Sequence, residues 1–249
     1  MPDFATYPSL KGRSVFVSGG GSGIGASIVE HFAAQGSKVG FVDINEPASK
    51  AVAAKTGALF QKCDIKDVKA YQAAIAEMAS KLGPITVLVN NAAHDERHKL
   101  EDVTPEFWDD RIAVNLRHAF FAIQAVVPGM KKAGGGSIVN FSSISYHTMT
   151  ANLSVYQAAK AATIGMTRGL ARDLGGDKIR LNSITPGWIM TQRQIDLWLT
   201  PEAEADLMKA QVLKEKVYPP DIARMALFLA SDDSRLISAQ TFVVDGGRM

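Results

Sequence analysis

Short apolar, β-branched runs alternate with longer segments of helical pattern along the whole chain. The runs predict seven β-strands, at residues 14–17, 38–43, 58–61, 86–90, 137–141, 180–185 and 241–244. The segments between them predict helices at 24–35, 68–81, 105–131, 156–174 and 220–230. Most of the strands are apolar throughout, as expected when helices cover both faces of a sheet. The pattern predicts an α/β fold, a Rossmann-like doubly wound parallel sheet of about seven strands with helices on both faces.

The alternation continues without a linker, a repeat or a shift in composition. We therefore expect residues 1–249 to form a single domain, which a chain of this length can do. The least regular segment is 188–217, which is polar, helical in pattern and contains two tryptophans. It is predicted to be a lid that closes the substrate off from water.

Composition and charge narrow the class of protein. Hydrophobic residues make up 47% of the chain and charged residues 21%, which is typical of a globular protein. The net charge is only +2, without the basic excess of a nucleic-acid-binding protein. Cys63 is the only cysteine, and neither the N-terminal MPDFATYPSLKG nor any later segment has the apolar run of a signal peptide or membrane span. We expect a cytoplasmic protein that binds neither nucleic acid nor membranes.

The stretch VFVSGGGSGIGASI places Gly19, Gly23 and Gly25 between the first strand and the first helix. Glycines allow a tight turn and a close approach of the backbone to a pyrophosphate, which the helix N-terminus then stabilises. Asp43 ends the second strand 18 residues after Gly25, close to the spacing expected of an acid that binds the adenine ribose. The simpler interpretations are a tight turn at the glycines and an ordinary turn residue at Asp43.

The charge at Asp43 also bears on the choice of cofactor. A carboxylate there would repel a 2′-phosphate, and Ser22 supplies no positive charge to offset the repulsion. The sequence therefore favours NAD over NADP. Asp64, after the third strand, is a weaker candidate for contact with the adenine.

A candidate acid/base pair lies in SVYQAAKAATIGMTRGLARDL, where Tyr156 and Lys160 share one face of the predicted helix. A phenol has a reference pKa of about 10, and an ammonium about 5 Å away would lower it by about two units. Ser143, in VNFSSIS after the fifth strand, is a candidate to hydrogen-bond a substrate oxygen. Ser142 and Ser145 are alternatives, and a turn-capping serine is the simpler interpretation. The chain has no G-x-S-x-G motif, so a nucleophilic serine is not predicted.

The stretch VNNAAHDERHK changes from a buried strand to a cluster of charged residues within a few positions. His94 and His98 have the spacing of the zinc-protease motif H-E-x-x-H, but that motif requires a helix and a glutamate. Here the acid is Asp95 and the segment follows a strand, so no metal site is predicted. Ligands bind at the carboxyl ends of parallel strands, which makes His94 and Arg97 candidates for a substrate pocket. For His98 and its charged neighbours, a solvated loop is the alternative.

Together these motifs resemble the short-chain dehydrogenase/reductase family. The match covers almost the full chain: S-G-G-G-S-G-I-G at 18–25, Asp64, N-N-A at 90–92, Asn115, Ser143, Y-Q-A-A-K at 156–160 and P-G at 186–187. The resemblance implies that Tyr156 is the general acid/base and that Ser143 holds the reacting oxygen. It implies that Lys160 lowers the pKa of the tyrosine and binds the nicotinamide ribose, and that Asn115 helps to hold a proton-relay water.

The resemblance also implies an NAD-binding set: Gly19, Ser22, Gly23, Ile24, Gly25, Asp43, Asp64, Ile65, Asn91, Ala92, Tyr156, Lys160, Pro186, Gly187, Ile189 and Thr191. Two positions depart from the family pattern. Ser18 stands where threonine is usual, which keeps the hydroxyl, and Ala93 stands where glycine is usual, which suggests a shift of the following loop. Family members commonly form tetramers, so a homotetramer is expected.

The stretches YPSLKG, DERHKL, NLRH and SISYH further resemble the bacterial sugar dehydrogenases of this family, which oxidise free aldoses at C1. The expected substrate is a pentose such as D-xylose or L-arabinose, oxidised to its lactone. Candidates for the sugar pocket are His94, Arg97, Ser143, Ser145, His147, Asn152, Trp188 and Arg193. The alternatives are a dehydrogenase or reductase acting on a ketone, ketoacyl thioester or secondary alcohol, and a non-catalytic dinucleotide-binding regulator.

Overall fold

A computed structural model describes residues 4–249, and the first three residues of the N-terminal segment lie outside it. The chain forms one seven-stranded sheet in which each strand runs parallel to its neighbours. The strands are β1 Ser14–Ser18, β2 Lys38–Asp43, β3 Leu59–Lys62, β4 Val87–Asn90, β5 Gly136–Phe141, β6 Ile179–Pro186 and β7 Thr241–Val244. All seven predicted strands are confirmed, with each end within one residue of its predicted position.

Helices cover both faces of the sheet, as predicted. They are α1 Gly23–Ala34, α2 Glu46–Thr56, α3 Val68–Leu82, α4 Pro105–Ile112, α5 His118–Lys132, α6 Ser154–Leu174, α7 Gln192–Trp198, α8 Pro201–Ala210 and α9 Pro219–Ala230. Helix α2 is absent from the sequence prediction because only Ser49 and Val52 of its residues are buried, so its apolar periodicity is weak. Its ends are marked instead by caps, since the Asn45 side chain accepts from the Ala48 amide and Gly57 has a left-handed φ of 72°.

The predicted helix 105–131 is divided in the structure. A π-helical turn, Ala113–Arg117, joins α4 to α5 and contains the buried Asn115. The sequence pattern does not separate α4, the π-helical turn and α5, because the three follow one another without a gap. Such turns are rare and are frequently found at functional sites.

Two apolar layers enclose the sheet, and β1 contributes to both because alternate residues of a strand point to opposite faces. Val15 and Val17 are fully buried in the layer that contains Phe32 of α1. Phe16 lies in the other layer with Tyr71 of α3. This two-sided burial explains why the strand is apolar at every central position.

The order of the strands across the sheet is β3-β2-β1-β4-β5-β6-β7. The chain winds outward in one direction from β1 to β3 and in the other from β4 to β7, so the loops after β1 and β4 diverge and open a cleft at the carboxyl edge. In the predicted lid, α7 and α8 form between Met190 and Val217, and the Met190 amide donates to the Val217 carbonyl at 2.9 Å. Among residues 4–249, no helix has the length and apolar character needed to cross a membrane.

Candidate active site

The glycine-rich turn between β1 and α1 requires glycine at several positions. Gly19 and Gly23 have left-handed backbone, with φ of 69° and 54°. A Cβ on Gly25 would lie 1.8 Å from the carbonyl oxygen of Gly19. Asn91 connects this turn to the loop after β4, because its Nδ2 donates to the carbonyl oxygens of Ser18 at 3.1 Å and Gly19 at 3.0 Å. A tight turn with uncovered backbone at a helix N-terminus fits a bound pyrophosphate.

Asp43 is held at the carboxyl end of β2 by two backbone amides. Its Oδ2 accepts from the Gly21 amide and its Oδ1 from the Asn45 amide, each at 2.9 Å. The carboxylate therefore organises a turn, as the simpler interpretation has it, and it also lines the cleft where a ribose would bind. Asp64 lines the cleft nearby and accepts from the Lys66 amide at 2.9 Å.

These residues form part of a cleft of about 1110 Å³ at the carboxyl edge of the sheet. That volume lies just above the roughly 300–1,000 Å³ typical of ligand pockets, as suits a dinucleotide with a small substrate. Every residue that the sequence assigns to the cofactor lines this cleft, and of the other candidate site residues only Asn115 and His147 do not. No cluster of metal-ligating side chains occurs in the part of the chain that the structure describes.

Asn115 lies beside the cleft and supports the loop that forms its wall. Its Oδ1 accepts from the His94 amide at 2.9 Å, and its Nδ2 donates to the carbonyls of His94 at 3.1 Å and Arg111 at 3.0 Å. All three contacts are with backbone atoms. Asn115 therefore fixes the course of the chain through residue 94, whatever its additional role in proton transfer.

The structure corrects the assignment of His147 to the sugar pocket. His147 follows a 3-10 turn, Ile144–Tyr146, and its amide donates to the Ile144 carbonyl at 2.8 Å. The imidazole is exposed and lies against the Tyr146 ring, with 4.1 Å between ring centroids. It does not line the cleft.

Tyr156 and Lys160 lie on α6 with the predicted spacing, and Lys160 Nζ is 5.7 Å from the centre of the Tyr156 ring. Burial raises the pKa of the Tyr156 phenol, and the negative charge of Asp95 raises it further. The Ser143 hydroxyl and the positive charge of Arg193 act in the opposite direction. Burial also lowers the pKa of Lys160 to about 8. Burial has the largest effect, so the pKa of the phenol lies above its ordinary value in the chain alone and not below it as predicted.

The three serines after β5 have different roles. The Ser142 hydroxyl donates to the Lys160 carbonyl at 2.8 Å, which engages it with α6. Ser143 Oγ accepts from the Ser145 amide at 3.2 Å, as a turn-capping serine does, and Ser143 also lines the cleft. Ser145 Oγ is buried and lacks a hydrogen-bond partner among the described residues. Ser143 is therefore the best placed of the three to hold a reacting oxygen beside Tyr156, and Ser145 has an uncommitted hydroxyl.

The two histidines of the charged stretch have unrelated surroundings. His98 is buried, its Nε2 accepts from the Val155 amide at 3.3 Å, and its Nδ1 lies 3.1 Å from the Glu96 carbonyl. The solvated-loop interpretation is therefore wrong for His98, which supplies the N-terminal cap that α6 otherwise lacks. Glu96 and Lys99 are exposed, as that interpretation expects.

His94 lines the cleft as a neutral imidazole. Its pKa is lowered by burial and by the positive charges of Arg111 and Arg193. Arg111 Nη1 lies 2.5 Å from His94 Nδ1, and since a guanidinium only donates, that nitrogen accepts. The imidazole proton is consequently on Nε2, which makes His94 a hydrogen-bond donor through that atom.

Several residues on the substrate side of the cleft were not predicted from the sequence: Asp95, Arg111, Thr148, Thr150, Gln192, Gln194 and Trp198. Trp198 covers the Arg97 guanidinium at 4.3 Å. Gln194 Oε1 accepts from Trp188 Nε1 at 2.9 Å. Asp95 could have been predicted, because it is next to His94 in the loop after the central strand β4. The others come from α4, α7 and the segment before α6, and sequence spacing does not reveal that they meet.

Comparisons with known proteins agree with this geometry. A family model described as enoyl-(acyl carrier protein) reductase matches residues 19–248. The chain is 48% identical to D-xylose 1-dehydrogenase of Caulobacter vibrioides over 98% of both chains. It is 50% identical to a probable galactose dehydrogenase of Rhizobium meliloti over 97% of this chain and 96% of that one.

Solved structures give the same result. A 7 alpha-hydroxysteroid dehydrogenase complexed with NADH and 7-oxo glycochenodeoxycholic acid has a TM-score of 0.90 and 32% identity, over 97% of this chain and 96% of that one. A putative short-chain alcohol dehydrogenase from Sinorhizobium meliloti has a TM-score of 0.90 and 30% identity, over 97% and 98%. The glycine turn, the Tyr156 and Lys160 pair, the parallel sheet and these relatives lead to one conclusion: the chain belongs to the short-chain dehydrogenase/reductase family.

Proposed function

We propose that the protein is an NAD-dependent sugar 1-dehydrogenase, which oxidises a free aldose at C1 to the lactone. The observation that carries the proposal is the position of Tyr156 and Ser143 in a cleft whose substrate side is polar, with His94, Asn152 and Arg193 in its wall. The two sugar dehydrogenase relatives support it. The expected substrates are D-xylose and L-arabinose, and D-galactose joins them because of the second relative.

In the proposed reaction, Tyr156 accepts the proton of the anomeric hydroxyl as a phenolate, which the nearby Lys160 ammonium must stabilise against the effect of burial on the phenol pKa. The Ser143 hydroxyl donates a hydrogen bond to the same oxygen. The carbon–oxygen double bond of the lactone forms as the C1 hydrogen leaves with its electron pair. When bound, NAD supplies the acceptor for that hydride. Lys160, with Nζ donating to the Phe141 carbonyl at 2.9 Å, is positioned to hold the ribose next to the reacting ring.

Two other functions are less well supported. A secondary alcohol or ketone substrate, such as the steroid of one structural relative, would suit an apolar pocket better than this one. A non-catalytic regulator would have no need of Tyr156, Ser143 and Lys160 together in one cleft. We further propose a cytoplasmic homotetramer that acts on small molecules, from the family resemblance and the single cysteine.

A substrate panel tests the proposal. The purified protein is given NAD with D-xylose, L-arabinose, D-galactose, cyclohexanol or a hydroxysteroid, and the absorbance of reduced nicotinamide is followed. We expect aldoses to be oxidised far faster than the other alcohols, with lactone as the product. Turnover of an alcohol with none of any aldose would reject the proposal in favour of the secondary-alcohol function.

The preference for NAD over NADP is proposed from Asp43. Lys50 and Lys62 lie near this end of the cleft and share one partner, Glu46, at 2.7 Å and 3.4 Å. Neither lysine lines the cleft, whereas Asp43 does, and its carboxylate suits a ribose diol and repels a 2′-phosphate.

Asp43→Asn should lower kcat/KM for NAD by about 10–100-fold, because it removes the charge that accepts from the ribose hydroxyls. The kcat/KM for NADP should fall less or should rise, so that the preference for NAD over NADP becomes smaller. Initial rates with each cofactor at saturating sugar measure this. The KM for the sugar is the internal control and should not change. An unaltered ratio of NAD to NADP would mean that Asp43 serves only the turn.

A further inference from the structure

Asp95 joins the loop after β4 to the first helix of the lid. Its side chain is 20% exposed and lines the cleft. Arg193 Nη1 is paired with its Oδ1, and Gln194 Nε2 donates to its Oδ2 at 2.9 Å. Gln194 is held in turn by the indole N–H of Trp188. The carboxylate is thus fixed by donors on α7 and faces the same cavity as the reacting groups.

Asp95 lines the same cleft as Tyr156 and Ser143. It follows Asn91 and Ala92, which line the cofactor side, by only a few residues. The negative charge of Asp95 raises the pKa of the Tyr156 phenol, and the positive charge of Arg193 lowers it. A substrate whose reacting oxygen lies at Tyr156 therefore presents its neighbouring groups to this pair.

The hydrogen-bonding capacity of the carboxylate is only partly used. Two carboxylate oxygens offer about four acceptor sites, and Arg193 and Gln194 occupy one on each oxygen. A hydroxyl of an aldose is a donor that can take a remaining site. A simple secondary alcohol has no second hydroxyl, and a partly buried carboxylate left short of donors costs free energy.

We propose that Asp95 is a specificity-determining residue that accepts a hydrogen bond from the hydroxyl on the carbon next to the anomeric carbon. Arg193 and Gln194 are positioning residues for its carboxylate. This inference rests on the proposed aldose activity, which it deepens by naming the group that distinguishes a sugar from another alcohol.

The test compares the preferred aldose with its 2-deoxy form, in the wild-type protein and in Asp95→Asn. In the wild type, loss of the 2-hydroxyl should lower kcat/KM by about 10–100-fold. In Asp95→Asn, kcat/KM for the aldose should fall by a similar factor, and the penalty for the 2-deoxy sugar should shrink to about threefold or less. The affinity for NAD, measured by fluorescence titration, should not change.

Asp196→Asn is the matched control. Asp196 lies on the same helix, accepts from Gln192 at 2.7 Å and does not line the cleft, so the full 2-deoxy penalty should remain in this variant. Gln194→Ala removes one of the two donors to Asp95 and should give a smaller version of the same change. It also provides the test if Asp95→Asn does not fold.

Two different failures can be told apart. If the wild-type protein oxidises no aldose, the proposed function fails. If it oxidises the aldose but the full 2-deoxy penalty remains in Asp95→Asn, because kcat/KM is either unchanged or lowered equally for both sugars, then Asp95 does not contact that hydroxyl. That result overturns the inference and leaves the sugar dehydrogenase activity intact.

Discussion

Replacing Tyr156 with phenylalanine should lower kcat for aldose oxidation by about 1,000-fold, while the affinity for NAD stays the same. The change removes one oxygen atom and keeps the ring, which lies 5.7 Å from Lys160 Nζ. Without the phenol, no group in the cleft is as well placed beside Ser143 to take the proton of the anomeric hydroxyl. Steady-state rates with saturating sugar and NAD measure the loss, and titration with NAD measures the binding.

Tyr146→Phe is the control for this variant. Tyr146 lies in the turn just before α6, and burial raises the pKa of its phenol too, but it does not line the cleft. Its removal should leave kcat almost unchanged. Should Tyr156→Phe retain a tenth or more of the wild-type rate, the proton would have to leave by another group, and the assigned role would be refuted.

Gly25→Ala should abolish NAD binding and lower the stability of the fold. The added methyl would lie 1.8 Å from the Gly19 carbonyl oxygen and 2.6 Å from Asn91 Nδ2. Either α1 must move or the turn must open, and both responses break the hydrogen bonds from Asn91 to the turn. We expect a loss of about 2–4 kcal/mol in the free energy of unfolding, or about 10 °C in the thermal midpoint. Calorimetry and NAD titration measure the two effects.

Gly175→Ala is the matched control for the same chemical change. Gly175 follows α6 with φ of −61°, a conformation that alanine adopts readily, and a Cβ there meets no atom within 4 Å. This variant should bind NAD normally and be at least as stable as the wild type. If Gly25→Ala behaved like Gly175→Ala, the close packing of the turn on α1 would not be needed for the cofactor.

The fold could be predicted closely because parallel strands that are buried on both faces appear in a sequence as short apolar runs. All five residues of β1 are buried, and the three central ones form a continuous apolar run. Helix α2 shows the limit of such patterns, since it buries little and its ends depend on Asn45 and Gly57. The π-turn around Asn115 shows another, because one extra residue in a helical turn does not interrupt the amphipathic pattern.

That the residues assigned to the cofactor line one cleft could be predicted for a similar reason. These residues come from turns whose conformation demands glycine or a short polar side chain, as at Gly19 and Asp43. The substrate half depends on how loops meet. His147 was assigned to the pocket and lies outside it, whereas Asp95 and Gln194 were missed although they bond across the cleft. Spacing along the chain carries no information about such contacts between distant loops.

The loop from Asn91 to His98 is attached to the rest of the fold mainly at its two ends, which affects how the substrate preference of such enzymes can change. Asn91 binds the glycine turn, His98 caps α6, and Asn115 holds only the backbone of residue 94. None of these attachments uses a side chain from positions 93 to 97. Those five positions can therefore be exchanged for others without moving the cofactor turn or the helix that bears Tyr156. A new sugar preference is within reach of a few substitutions, and a loop taken from a relative must keep or replace the contacts of Asp95 with Arg193 and Gln194 on α7.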